Sequence, residues 1–156
     1  MIAASRLHVI HEEIASVIQQ ATFMIVDTAA DAGEAEFRPN VSHWAQVEYD
    51  GPSQGSVCIC ADWELIQALS MNMLGIGDTA PVEPGKALDS FKELANIITG
   101  RIITLLYGVD KVFRLSTPQY FTQTPLQCSE ALVYRFAYDC EGMPLYISLF
   151  VHCEET

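Results

Sequence analysis

The sequence predicts an α+β fold in which helices pack on one antiparallel β-sheet. Amphipathic segments with helical spacing alternate with runs of strand period, and the strand runs come as two hairpins. The order helix, short strand, hairpin occurs twice, once from near residue 5 and again from near residue 86, so two similar halves are expected. With 156 residues the chain has the size of one domain over 1–156, long enough to bury about two thirds of its unfolded surface in a single core.

Leu7, Ile10, Ile14, Val17 and Ala21 share a helical stripe with His8, Glu12 and Gln19 opposite, which predicts a surface helix with one buried face. FMIVD (23–27) is a short strand, and the polar, Ala/Gly-rich stretch to about residue 42 is a loop. WAQVEY alternates apolar and polar residues, GSVCICA is almost wholly apolar, and DGPSQG between them supplies turn residues, so these form a hairpin. Asp62 stands as N-cap before WELIQALSMNMLG, Leu65, Ile66, Leu69 and Met73 form its stripe, and Gly75 suits its end. The loop GIGDTAPVEPGK lacks the G-K-[ST] ending of a phosphate-binding loop. A third helix runs from about 86 to Tyr107 with Gly108 as its stop, and KVFRLSTPQYF is a strand interrupted by Pro118. The hairpin EALVYRFAYDCEGMPLYISLFVHC turns at Glu141 and Gly142. Leu132, Tyr134, Phe136 and Tyr138 alternate there with Ala131, Val133 and Ala137, so both faces are apolar and the strands are central, or covered by helices or a second subunit.

Composition removes several classes of function. A net charge of −12 repels phosphate backbones and anionic lipid surfaces, so nucleic acid is not an expected partner. No apolar run approaches the ~20 residues of a membrane span. The first twenty residues carry charges at helical spacing where a signal peptide has a continuous apolar region, so the protein is expected in the cytoplasm. Cys58, Cys60, Cys128, Cys140 and Cys153 are odd in number, lack a C-x-x-C pair and sit mostly in apolar runs, as buried reduced thiols do. His8, His11 and Glu12 lie close together on the first helix, but with no fourth ligand apparent they read as solvated side chains, and no metal site is expected. Ser116 and Ser129 have no recognisable nucleophile setting.

The third helix is the informative one. Leu88, Phe91, Leu94, Ala95, Ile98, Ile102 and Leu105 gather on its core side, while Asp89, Glu93, Asn96, Gly100 and Tyr107 fall in a stripe opposite. A helix gains nothing from an interior asparagine, and an interior glycine costs about 1 kcal/mol relative to alanine. Both are explained where another surface approaches the backbone at Gly100, beside Asn96. The structural alternative is that Ser90 and Glu93 form an S-x-x-E capping box and only start the helix.

The run Asp89-x-x-x-Glu93-x-x-Asn96 followed by IITG, on a helix between a Pro/Gly loop and a strand, resembles the signature of the CheC/CheX/FliY chemotaxis phosphatases. The terminal hairpin and the order of elements resemble CheX most, over nearly the whole chain. The resemblance implies a CheC/CheX-like fold and an enzyme that dephosphorylates the aspartyl phosphate of a CheY-type response regulator, with Glu93 and Asn96 as the working residues. The first helix reads HEEIASV, with no asparagine, so one site rather than two is implied. Asn96 would hold the attacking water, Glu93 would pair with a lysine of the regulator, and Mg²⁺ would belong to the regulator, leaving this chain without a cofactor of its own. Asp89, Lys92, Gly100 and Arg101 would touch the partner. Residues 86–107 carry Lys86, Lys92 and Arg101 against Asp89 and Glu93, a sum of +1 within an acidic chain, which suits approach to an acidic active site. A homodimer is also implied by the resemblance. The alternative from another class is a non-catalytic adaptor of the same fold that docks a signalling protein without hydrolysing anything.

Overall fold

In a computed structural model, residues 2–28, 43–77, 80–123 and 130–152 are described. Where local chemistry is strongest, the elements begin and end as the sequence predicts. Asp62 accepts a hydrogen bond from the Leu65 amide at 2.9 Å and starts a helix, α2 (Trp63–Leu74), that Gly75 ends in the left-handed conformation at φ 66°. Such a cap contributes about 1 kcal/mol. Before α2 come helix α1 (Ala4–Thr22) and strands β1 (Val26–Thr28), β2 (His43–Asp50) and β3 (Gly55–Ala61). After it come helix α3 (Pro84–Tyr107) and strands β4 (Arg114–Leu115), β5 (Gln119–Phe121), β6 (Glu130–Cys140) and β7 (Met143–His152).

The seven strands form one antiparallel sheet in the order β1-β6-β7-β3-β2-β4, with β5 also paired to β2. The two hairpins lie side by side through β3 and β7, where Ile59 faces Ile147. Each short strand crosses over: β1 pairs with the second hairpin, Val26 opposite Cys140, while β4 and β5 pair with the first, at Tyr49 and Trp44. The repeated order of elements is therefore a repeated topology, with the halves interlocked. The terminal hairpin lies inside the sheet, as its two apolar faces require, and turns through Glu141 (φ 53°) and Gly142 (φ 88°). Between β4 and β5 the edge is broken before Pro118, which has no amide to donate. Ser116 bridges the gap: its amide donates to the Glu48 carbonyl at 2.9 Å, and its hydroxyl accepts from the Glu48 amide at 2.9 Å. Gly55 is required by close approach, since a Cβ there would lie 2.1 Å from the Phe150 carbonyl oxygen.

The main core lies between the helices and one face of the sheet, with Ile10, Ile14, Ile18, Leu65, Ile66, Leu69, Phe91, Leu94 and Ile98 packed on Val57, Ile59, Phe136, Tyr138, Ile147 and Leu149. Each such side chain contributes roughly 1.5–3 kcal/mol by leaving water. On the other face Trp44, Cys58, Cys60, Ala137 and Tyr146 make a smaller cluster with Phe121 and Phe150.

Helix α1 departs from its predicted orientation. Its buried residues are Ile10, His11, Ile14, Ala15, Ile18 and Thr22, whereas Val17 and Ala21 are only half-buried. His11, expected in solvent, is 9% exposed. Its Nε2 lies 3.3 Å from the Ala137 carbonyl oxygen and its ring meets Tyr138 edge-on at 4.9 Å, while the Tyr138 hydroxyl donates to the His11 carbonyl at 3.1 Å. The stripe rotates because the β-branched Ile10, Ile14 and Ile18 fill the core and bring His11 over β6. FMIVD is likewise only partly strand, since Phe23 ends α1 and pairing begins at Val26. Among the described residues no helix is long and apolar enough to cross a membrane.

Candidate functional site

Helix α3 begins at Pro84, whose missing amide suits the first turn and whose ring presets φ. Ser90 and Glu93 are therefore well inside the helix, and Ser90 is buried, so the capping-box alternative fails. Ala87, Phe91, Leu94, Ala95, Ile98 and Ile102 form the buried face, joined by Thr99, whose hydroxyl donates to the Ala95 carbonyl at 2.7 Å. Leu88 and Leu105, predicted core, are half-buried at its margin.

On the outer side Asp89, Glu93 and Arg101 are exposed, and Lys92, Asn96 and Gly100 are half-buried. Neither Glu93 nor Asn96 is engaged in a hydrogen bond or ion pair with another described side chain. A Cβ built at Gly100 would meet nothing within 4 Å, so nothing in this chain's own packing calls for the glycine. Tyr107 leaves the predicted stripe: its ring packs 5.0 Å from Phe113 and 6.3 Å from Tyr49, and its hydroxyl donates to Ser53 Oγ at 3.1 Å. At the helix end the stripe has turned onto the first hairpin.

Helices α1 and α3 run antiparallel. The Arg6 guanidinium donates to the Leu105 and Leu106 carbonyls, complementing the negative end of α3, and Arg101 Nη2 meets Glu13 Oε2 at 2.7 Å. Farther along, Val17, Gln20 and Ala21 line a groove of about 440 Å³ with Ile97, Gly100, Arg101 and Thr104. Sequence reasoning misses this α1 wall because helical spacing puts Val17 and Ala21 on the buried stripe. The i, i+4 spacing of Ile10, Ile14 and Ile18 is the signal that would have freed them. The pairing with Glu13 also changes the electrostatics, since with Arg101 neutralised the +1 of the helix falls to about zero. With both side chains 44% exposed, the bridge itself contributes at most about 1 kcal/mol.

Other sequence candidates resolve into structure. His11 is buried while His8 and Glu12 are exposed, and among the described residues no group of three His, Cys, Asp or Glu side chains is placed to hold a metal ion. Burial also lowers the His11 pKa, more than its bond to the Ala137 carbonyl and the nearby Glu12 raise it. Cys58 and Cys60 share the outer face of β3 as buried thiols. Burial pushes Cys60 well above the ordinary thiol range and Cys140 up to about 12. Ser116 serves the sheet edge, while Cys128, Ser129 and Cys153 lie outside the described residues.

The family model described as chemotaxis phosphatase CheX matches residues 44–141. No curated protein matches the sequence. Among solved structures, similarity is found to the CheX–CheY–BeF₃–Mg²⁺ complex from Borrelia burgdorferi, with TM-score 0.70 and 16% identity over 94% of this chain and 97% of that one. CheX from Vibrio vulnificus matches with TM-score 0.69 and 14% identity over 97% and 100% of the two chains. FliY from Thermotoga maritima matches with TM-score 0.61 and 15% identity over 99% and 93%. At these identities the structures establish a shared fold.

Proposed function

Because the chain belongs to the chemotaxis phosphatase CheX family, we propose that it is a phosphatase acting on the aspartyl phosphate of a CheY-type response regulator. The observation that carries this reading is the pair Glu93 and Asn96 in the interior of a long helix, turned outward, beside a glycine its own fold does not need.

An acyl phosphate is already activated, so its hydrolysis requires a water held in line with the leaving carboxylate oxygen more than it requires a strong base. Asn96 can do this. Its carboxamide accepts a hydrogen bond from the water through the oxygen, and the rigid helix beneath fixes its direction. Glu93, about one turn earlier on the same side, pairs with a lysine of the regulator and sets the register of docking. Asp89 and Lys92 lie on the rim of the contact, and Gly100 lets the regulator's backbone come close one turn beyond Asn96. Mg²⁺ sits with the regulator, in keeping with the magnesium named in the Borrelia complex, and this chain supplies no cofactor. The site works within a single domain over 1–156 that pairs as a homodimer in the cytoplasm.

The experiment is the decay of phosphorylated regulators, screened one by one, with and without the protein. Faster decay of at least one regulator is expected. Association that leaves the decay rate unchanged for every regulator identifies an adaptor and overturns the enzymatic reading.

A further inference from the structure

We infer that Phe23 and Ile25, which follow α1, are the apolar anchor by which the protein grips its regulator; this rests on the function proposed above and extends it to a surface outside α3. Phe23 is 76% exposed and Ile25 69% exposed, so neither contributes to the core. Phe23 nevertheless stands at φ 55° in the left-handed region, where a side chain with a Cβ is strained and glycine or asparagine is the usual occupant. Among the described residues Phe23 and Glu141 alone, apart from glycines, adopt positive φ, and Glu141 holds Ile25. The Ile25 amide donates to Glu141 Oε1 at 3.2 Å, and the Glu141 amide donates to the Ile25 carbonyl at 3.2 Å. The left-handed turn closes α1, with the Phe23 amide donating to the Gln19 carbonyl at 2.9 Å, so the fold accounts for the backbone but not for large apolar side chains facing water at Phe23 and Ile25.

Position identifies the occupant. The antiparallel contacts run from Arg6 beside Leu105 and Leu106, through Glu13 beside Arg101, to the groove that Val17, Gln20 and Ala21 line with Ile97, Gly100, Arg101 and Thr104. Continued by two residues, that progression brings Phe23 level with the turn of α3 that carries Glu93 and Asn96. Glu93, Ile97, Gly100 and Thr104 follow one another at i, i+4, i+7 and i+11, so Glu93 continues the line of α3 residues that faces α1. A body engaged with Glu93 and Asn96 therefore meets Phe23 at its edge. Charge supplies the need for such a contact. A chain of net −12, with Arg101 committed to Glu13, is not drawn as a whole to an acidic phosphoryl pocket, so apolar burial beside the Glu93 contact adds affinity that net charge does not supply. The partner surface implied is an apolar patch of the receiver flanking its phosphorylation pocket.

The test uses the full chain and whichever regulator the wild-type protein dephosphorylates, both as phosphorylated substrate and in its beryllofluoride- and Mg²⁺-loaded form. Phe23→Asn suits the left-handed position and should melt no lower than wild type, while its KM and its Kd for the loaded regulator rise ~10-fold or more and kcat is retained. Ile25→Ser should act in the same direction. Val109→Ser and Val112→Ser, at 89% and 82% exposed residues beyond the other end of α3, should leave both constants unchanged. Wild-type affinity in Phe23→Asn and Ile25→Ser overturns the anchor and leaves the phosphatase reading intact. A fall in mass from dimer to monomer by light scattering in Phe23→Asn assigns the patch to a second copy and also overturns it. A wild-type protein that neither binds nor dephosphorylates any regulator overturns the anchor and the reading together.

Discussion

Replacing Gly100 should move stability and function in opposite directions. The residue is helical, half-buried and in the middle of α3, and the space its Cβ would take is empty to 4 Å. Gly100→Ala should therefore stabilise the protein by about 1 kcal/mol through the ordinary difference in helix propensity, with no clash to subtract from it. For a chain of this size that is a rise in Tm of roughly 2–4 °C. Gly100→Leu should retain most of the gain, because its longer side chain enters the open groove between α1 and α3, where Val17, Ala21 and Ile97 offer apolar contact. Turnover should respond differently. Alanine adds one methyl group beside Asn96 and should lower kcat/KM by several-fold, whereas leucine covers the approach and should lower it by ~100-fold, equivalent to about 2.7 kcal/mol of lost transition-state binding. Calorimetry and the decay of phosphorylated regulator are sufficient to decide. A Gly100→Leu protein with wild-type turnover would remove the reason offered for the glycine, and a Gly100→Ala protein that melts lower would show that the position is not open.

Asn96→Ala should lower the maximal dephosphorylation rate by ~100-fold with little change in regulator affinity, and Glu93→Ala should weaken affinity as well as rate; steady-state kinetics with measured binding separates the two. Stability should fall as pH is lowered. The folded His11 pKa lies below its ordinary 6.5, so the unfolded chain binds the extra proton and stability present above 6.5 is lost as pH falls toward the folded value, at no more than about 1.4 kcal/mol per pH unit. Urea midpoints between pH 7.5 and 5 should show that slope, and His11→Phe should flatten its share of it. Cys58, Cys60 and Cys140 should resist a thiol reagent at pH 8 in the native protein and react on unfolding; rapid native labelling at any of them would contradict their burial.

Local chemistry made much of the fold legible. Asp62, Gly75 and Gly108 bound their helices through capping preferences, and Glu141 with Gly142 turned the last hairpin where two strand runs meet. Glu93 and Asn96 were singled out by the resemblance of their motif to a family signature, and helical spacing foresaw only the outer side of α3 on which both lie. What could not be read was set by contacts between distant segments. Nothing near His11 in the sequence announces the Ala137 carbonyl that receives it, and nothing near Arg101 announces Glu13. Tyr107 obeys the spacing of the outer stripe, yet lies where the helix end meets Tyr49 and Phe113, a meeting fixed only by the sheet. Phe23 was hidden for the opposite reason. An aromatic residue beside a strand reads as core until its backbone angle and exposure are known.

The exchange of short strands between the two halves bears on how the chain acquires its shape. β1 waits for β6, and the first hairpin waits for β4 and β5, so neither half can complete its own layer. During synthesis the first hairpin emerges with β3, buried along its whole length in the finished sheet, still lacking β7 as its neighbour. The sheet therefore closes only after the last strand leaves the ribosome, and loop closures of that span make the search slow. The same exchange makes the halves inseparable afterwards. A nick in the connection between α2 and α3 would leave two fragments, each holding strands that only the other can pair, and the sheet would be rebuilt by their association.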